Sequence, residues 1–167
     1  MNKTGLKSLL SLFLCVALLA AAALSTGALG ETAADTEARP TEYSVLPDGA
    51  ETPVVIPLSG TKEAPVDLGD GAKTFLFSVV DMAGVDCWFR IHTDRETVGE
   101  ALTDALLISG TVSEEYGLMV DTVCGTQLIW SEENPHYWAF YINGEYAMTG
   151  VSSTPIEADA EYSFRAE

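Results

Sequence analysis

The chain has 167 residues, 25 acidic against 8 basic, and a formal charge of −17. Nucleic acids and anionic membrane surfaces are gripped by clustered Lys and Arg, so this balance argues against both as partners. The length allows one domain of ordinary size with additional segments.

Residues 1–30 read as a signal peptide. Lys3 and Lys7 form a basic start, and Leu9 to Leu24 is almost wholly apolar but short for a membrane span. Ala28-Leu29-Gly30 puts small residues at a signal-peptidase site, so cleavage is expected near Gly30; the alternative is retention as an N-terminal anchor. Cys15 follows Leu14 inside the apolar run rather than a small residue, which disfavours a lipoprotein signal. Cleavage leaves 6 basic against 25 acidic residues, a formal charge of −19. The expected location is secreted or on the cell surface, with no membrane contact beyond the signal peptide.

Residues 31–70 read as an acidic, proline-containing linker. Pro40, Pro47, Pro53, Pro57 and Pro65 fall here among few large apolar residues, a composition that disfavours a packed core. Pro53 to Leu58 (PVVIPL) is a candidate edge strand, since two prolines keep it out of a sheet centre. Asp67 and Asp70, with Gly69 and Gly71, do not match the spacing of a Ca²⁺ loop and read as a solvated turn.

The folded domain is expected over residues 71–167. Thr74 to Asp81 alternates as a strand, Asp81 to Gly84 is a turn, and Val85 to Thr93 is a second strand with Cys87, Phe89 and Ile91 on one face. Thr97-Val98-Gly99-Glu100 is a capping box. Val98, Ala101, Leu102, Ala105 and Leu106 then form one apolar stripe, predicting a helix of about three turns that ends at Ser109-Gly110. Tyr116 to Val123 reads as a third strand and Gln127 to Pro135 as a polar connection. Val151 to Asp159 reads as a loop and Glu161 to Arg165 as a last short strand. The order is β-β-α-β-β-β-β, an α+β arrangement with the helix across one face of a mixed sheet of about five to six strands.

The heaviest segment is Tyr137 to Gly150 (YWAFYINGEYAMTG). Asn143-Gly144 is a strong signal for a two-residue hairpin turn. It sets Ile142 opposite Glu145, Tyr141 opposite Tyr146, Phe140 opposite Ala147 and Ala139 opposite Met148. One face then carries Trp138, Phe140 and Ile142, expected to pack under the helix. The other carries Tyr137, Tyr141, Tyr146 and Met148, expected to meet a ligand, with His136 beside them. Tyr and Trp combine rigid contact area with a polar tip, which suits flat or amphipathic ligands and proteins. Trp88 and Trp130 are further candidates.

Catalysis has little support. The two histidines, His92 and His136, have no metal-ligand spacing to each other or to a cysteine, and no nucleophile–base set is legible. Neither enzymatic activity, a metal nor an intrinsic cofactor is expected. Cys87 and Cys124 survive cleavage and read either as a disulfide or as two separately buried thiols. A bond would close a loop of about 36 residues and contribute ~3–4 kcal/mol.

The segments FLFSVVD, TVGEAL, YGLMVDTVCG and YWAFYINGEYAMTGV, followed by a closing strand, together resemble the transcobalamin-like C-terminal domain family. The resemblance covers about Lys73 to Phe164. It implies a β-grasp-like exported module related to the C-terminal domain of the cobalamin carriers transcobalamin and intrinsic factor. There the domain covers one side of a corrinoid and a larger helical domain the other, and no counterpart of the helical domain is read in this sequence. The resemblance implies a corrinoid or similar ligand; the alternative partner is a surface protein or a glycan. Glu157-Ala158-Asp159-Ala160 departs from the Gly-Asp turn usual in the family, but a turn is still expected there.

Overall fold

A computed structural model describes residues 39–167. The signal-peptide reading, Cys15 and the start of the expected linker lie outside the described residues. Among the described residues the architecture is α+β, dominated by a mixed sheet, with one short α-helix.

The first elements correct the linker reading. Glu42–Val45 (β1) pairs antiparallel with Val54–Pro57 (β2), and Val66–Gly69 (β3) runs parallel to Asp86–Thr93 (β5). The prolines punctuate rather than prevent this. Pro53 and Pro65 precede strands, and Pro57 closes β2, positions where a missing N–H is tolerated. Ile56 is fully buried, with Tyr43, Leu58 and Leu68 packed around the same core. These strands are four residues each, too short to show a clear apolar period.

Lys73–Val80 (β4) and β5 form the expected hairpin, Phe77 opposite Phe89 and Val79 opposite Cys87. The Asp81 carboxylate closes the turn by accepting from the Ala83 and Val85 N–H groups at 3.0 and 2.9 Å. The main sheet has six strands in the order β10-β9-β11-β4-β5-β3. Here β9 is Trp138–Ile142, β10 is Glu145–Tyr146 and β11 is Glu161–Ala166. β11 lies parallel to β4 and antiparallel to β9. One face of this sheet carries a continuous aromatic layer. Phe140 meets Phe164 at 5.2 Å between ring centroids, Phe164 meets Phe77 at 6.2 Å, and Phe75 meets Tyr162 edge-on at 5.2 Å. Each ring taken from water contributes about 1.5–3 kcal/mol, which makes this layer the main source of cohesion.

The helix (α1) is shorter than its apolar stripe, spanning Val98–Asp104 with the capping box formed. Leu106 adopts φ +60° and ends it early. Its N–H donates to the Thr103 carbonyl, and the Leu107 N–H reaches the Leu102 carbonyl, each at 2.9 Å. This is the Schellman closure, here with leucine where glycine is usual, so the stop carries no sequence signal. The residues beyond it, Ile108–Ser113 (β6), pair with Gly117–Val123 (β7), which pairs with Thr126–Gln127 (β8) in a three-stranded sheet. A bulge at Ser109/Gly110 interrupts β6.

α1 does not cover the hairpin as expected. It packs chiefly on β5, β6 and the 3-10 turn Val151–Ser153, while β7 lies against β9. β5, on which α1 packs, is separated from β9 by β4 and β11 in the sheet order. The 157–160 turn survives without glycine, because Asp159 itself takes φ +62° and the Ala160 N–H bonds to the Glu157 carbonyl. Tyr162 ties this loop down, donating to the Pro155 carbonyl at 3.1 Å and accepting from the Glu157 N–H at 3.0 Å.

Cys87 and Cys124 are both buried and unbonded to each other, so the disulfide reading gives way to that of two thiols. Cys87 is on β5 and Cys124 in the turn that follows β7, and the two line one small cavity of about 170 Å³ with Trp138 and Leu58. Burial pushes both thiols up, which keeps them protonated and unreactive.

Candidate functional site: the opening in the aromatic hairpin

Asn143 and Gly144 both have positive φ, +50° and +83°, the pairing a type I′ turn requires. Tyr141 sits opposite Tyr146 and Ile142 opposite Glu145, as the sequence sets them. The Ala147 N–H still bonds to the Phe140 carbonyl at 2.9 Å. Beyond that bond the arms separate. The space between them is a cleft of about 390 Å³, with Tyr137, Trp138 and Phe140 on one arm and Tyr146 to Gly150 on the other. Leu118, Val120, Val151 and Phe164 complete its lining.

This arrangement redistributes the residues read from the sequence. Tyr137, Tyr146 and Met148 do line one cleft, and Met148 is 92% exposed. Trp138 and Phe140, assigned to the core alone, are buried in it and also line the cleft. Ile142 packs at the core margin. Tyr141 is outside the cleft lining, although it shares a sheet face with Tyr137 and its ring meets that of Tyr146 edge-on at 5.6 Å. Its ring lies under the Arg165 guanidinium at 4.1 Å, and its hydroxyl donates to the Glu167 carboxylate. That carboxylate raises the Tyr141 hydroxyl above the usual phenol range, because ionisation would forfeit the hydrogen bond beside a negative charge. Tyr137 is raised by desolvation first and by the same carboxylate second, its hydroxyl donating to Glu167 at 3.3 Å. His136 is half-buried, its Nδ1 3.2 Å from the Glu167 carbonyl oxygen. His136, Tyr137 and Tyr141 therefore share Glu167, while Tyr137, Tyr146 and Met148 share the cleft.

The other candidates lie elsewhere. Trp88 is on the outer face of the main sheet, donating to Asp86 at 2.7 Å with Lys62 Nζ 4.9 Å from its ring centroid. Trp130 is exposed in the connection before β9. His92 bridges Asp67 at 2.9 Å through Nε2 and Thr74 Oγ1 at 3.3 Å through Nδ1. Of this acid–imidazole–hydroxyl row only His92 borders an opening, beside Gly69 and Asp70, while Asp67 and Thr74 stay outside it, and the row reads as a cross-strand clamp. Among the described residues no group of three His, Cys, Asp or Glu side chains is placed to hold a metal ion. Sequence reading missed Leu118, Val120, Val151 and Phe164 as cleft residues, since strand alternation says which face a residue takes but not which strands converge.

The fold and cleft define an α+β domain with a mixed sheet and a lined opening at its hairpin edge. No family profile matches the sequence, and no curated protein matches it. Among solved structures, the chain is similar to one from Ruminococcus gnavus ATCC 29149, described as a candidate metal-binding protein. The two share 23% identity and a TM-score of 0.53, over 57% of this chain and 97% of that one. It also aligns with haptocorrin in complex with Cbi at 14% identity and a TM-score of 0.46, over 57% of this chain and 25% of haptocorrin. The first likeness is one of fold.

Proposed function

We propose that this chain is an exported, non-catalytic binding module whose ligand seats in the hairpin cleft, and that the ligand is a corrinoid. The observation that carries the binding reading is the convergence of Tyr137, Tyr146 and Met148 on a cleft floored by Trp138, Phe140 and Phe164. The corrinoid is what the four-segment resemblance to the transcobalamin-like domain family implies, and with it a β-grasp-like kinship. A cleft of about 390 Å³ is near the small end for ligand sites, which span ~300–1,000 Å³. It would hold one edge of a corrinoid and leave the rest to a partner.

Titration of the purified protein with cyanocobalamin and with cobinamide, followed by visible absorbance and calorimetry, tests this reading. Saturable binding is expected. Tyr146→Ala should weaken it about tenfold, or ~1.4 kcal/mol, with folding unaffected because Tyr146 is 53% exposed. Tyr141→Ala removes a ring packed edge-on against Tyr146 but no part of the lining, and should weaken binding less than Tyr146→Ala. Absence of heat and of spectral change up to millimolar ligand would exclude corrinoid capture by this chain.

A further inference from the structure

The hairpin opening has a second property, which a small-molecule ligand does not require. Antiparallel strands alternate hydrogen-bonded and non-hydrogen-bonded pairs. Toward β11, Tyr137 exchanges both bonds with Glu167, at 2.9 and 3.0 Å, so the main-chain groups of Trp138 and Phe140 point the other way. In a hairpin turning at Asn143-Gly144, those groups would meet Ala147 and Thr149. Only one such bond is made, from the Ala147 N–H to the Phe140 carbonyl. Among the described residues, the Phe140 N–H and both main-chain groups of Trp138 have no backbone partner on that side. Two donors and one acceptor, at alternate residues of one strand, therefore border the cleft.

From this edge we infer that the opening accepts an extended segment of a partner protein as an added strand beside Trp138–Phe140. Unpaired strand edges recruit peptide main chain, and the pockets beside them take alternate side chains. Here the apolar lining supplied by Val120, Val151 and Phe164 would take every second side chain of the guest. Charge selects the rest. Among the described residues no charged side chain lines the cleft. Glu145 adjoins Tyr146, and Glu167 is bonded to the Tyr137 hydroxyl. Glu114 and Glu115 lie in the β6–β7 turn, and the carbonyl of Tyr116, which follows them, approaches Gly150. The neighbouring cation, Arg165, is outside the lining and stacks on the Tyr141 ring. The guest is thus a segment alternating small apolar and basic residues, matched to an anionic rim.

The probe is an acetylated, amidated hexapeptide alternating lysine and valine, added to the intact protein. Amide hydrogen exchange, read by NMR, should slow at Trp138 and Phe140 by about tenfold or more on saturation. A version N-methylated at every second residue, lacking the edge-facing N–H groups, should give no such protection. Met148→Arg, at an exposed position, should weaken the lysine peptide about threefold or more by opposing its charge. Lack of saturable binding at millimolar peptide would overturn the inference. Equal binding of the N-methylated peptide, or of one with glutamate in place of lysine, would do the same. No corrinoid enters this experiment, so the two readings of the opening fail separately.

Discussion

The Tyr43 hydroxyl donates to the Leu106 carbonyl at 2.8 Å. Leu106 is the left-handed residue that stops α1, and Tyr43 comes from the stretch that composition reads as linker. One hydroxyl thus fixes β1 to the end of the helix. Desolvation by burial pushes the phenol well above its usual range, with the Cys124 thiol beside it adding to the shift, so it stays a donor across the accessible pH range. Tyr43→Phe keeps the ring and leaves the carbonyl without this donor, which should cost about 1–2 kcal/mol. Urea denaturation followed by tryptophan fluorescence measures it through the midpoint at constant slope. An unchanged midpoint would mean that water replaces the hydroxyl and that the two segments are held by packing alone.

At the scale of elements, α1 has seven residues and is bound by its ends and its docking face. The Thr97 hydroxyl accepts from the Glu100 N–H at 3.3 Å, and the Glu100 carboxylate accepts from the Thr97 N–H at 3.2 Å. That backbone bond, with a further one from the Thr97 hydroxyl, holds the Glu100 carboxyl below the usual glutamate range. A depressed carboxyl contributes stability above its unfolded value and loses it as pH falls through the folded one. Glu100→Gln keeps the bonding shape without the charge. Its thermal midpoint should lie below that of the wild type at neutral pH and converge with it in acid; a pH-independent gap would place the carboxylate outside the cap. This box was legible because it is written in four consecutive residues. The β4–β5 hairpin, the Asn143-Gly144 turn and the pairing of Tyr141 with Tyr146 were legible for the same reason. The helix stop was not, since Leu106 reaches positive φ through two backbone bonds rather than through glycine. Nor was the cover of the hairpin, which depends on β7 folding back with β6, a strand whose ISGTVS sequence has little apolar alternation. The cleft shares that origin. Its two arms were readable, but the point where they part is set by what β7 and the 151–153 turn place between them.

For the molecule as a whole, charge and packing oppose each other. The described residues hold 22 acidic and 6 basic side chains. Five of the six cations pair with carboxylates: Arg39 with Asp81, Lys62 with Glu161, Lys73 with Glu96, Arg90 with Asp67 and Arg95 with Asp104. That leaves 17 carboxylates without a cationic partner among the described residues. Salt acts on both populations. It weakens surface pairs, each worth about 0–1 kcal/mol in any case. It also screens the mutual repulsion of the unpaired carboxylates, over a distance that falls from ~30 Å at 0.01 M to ~3 Å at 1 M. The repulsive terms are more numerous and longer in range, so they decide the sign. The thermal midpoint should rise as sodium chloride increases from about 0.01 M to 1 M, most steeply below about 0.2 M, where the screening length changes fastest. Calorimetric scans at constant pH measure this, with potassium chloride as a check that the effect is ionic strength rather than a bound cation. A falling midpoint would mean that the five ion pairs act as a coupled network, outweighing the excess negative charge.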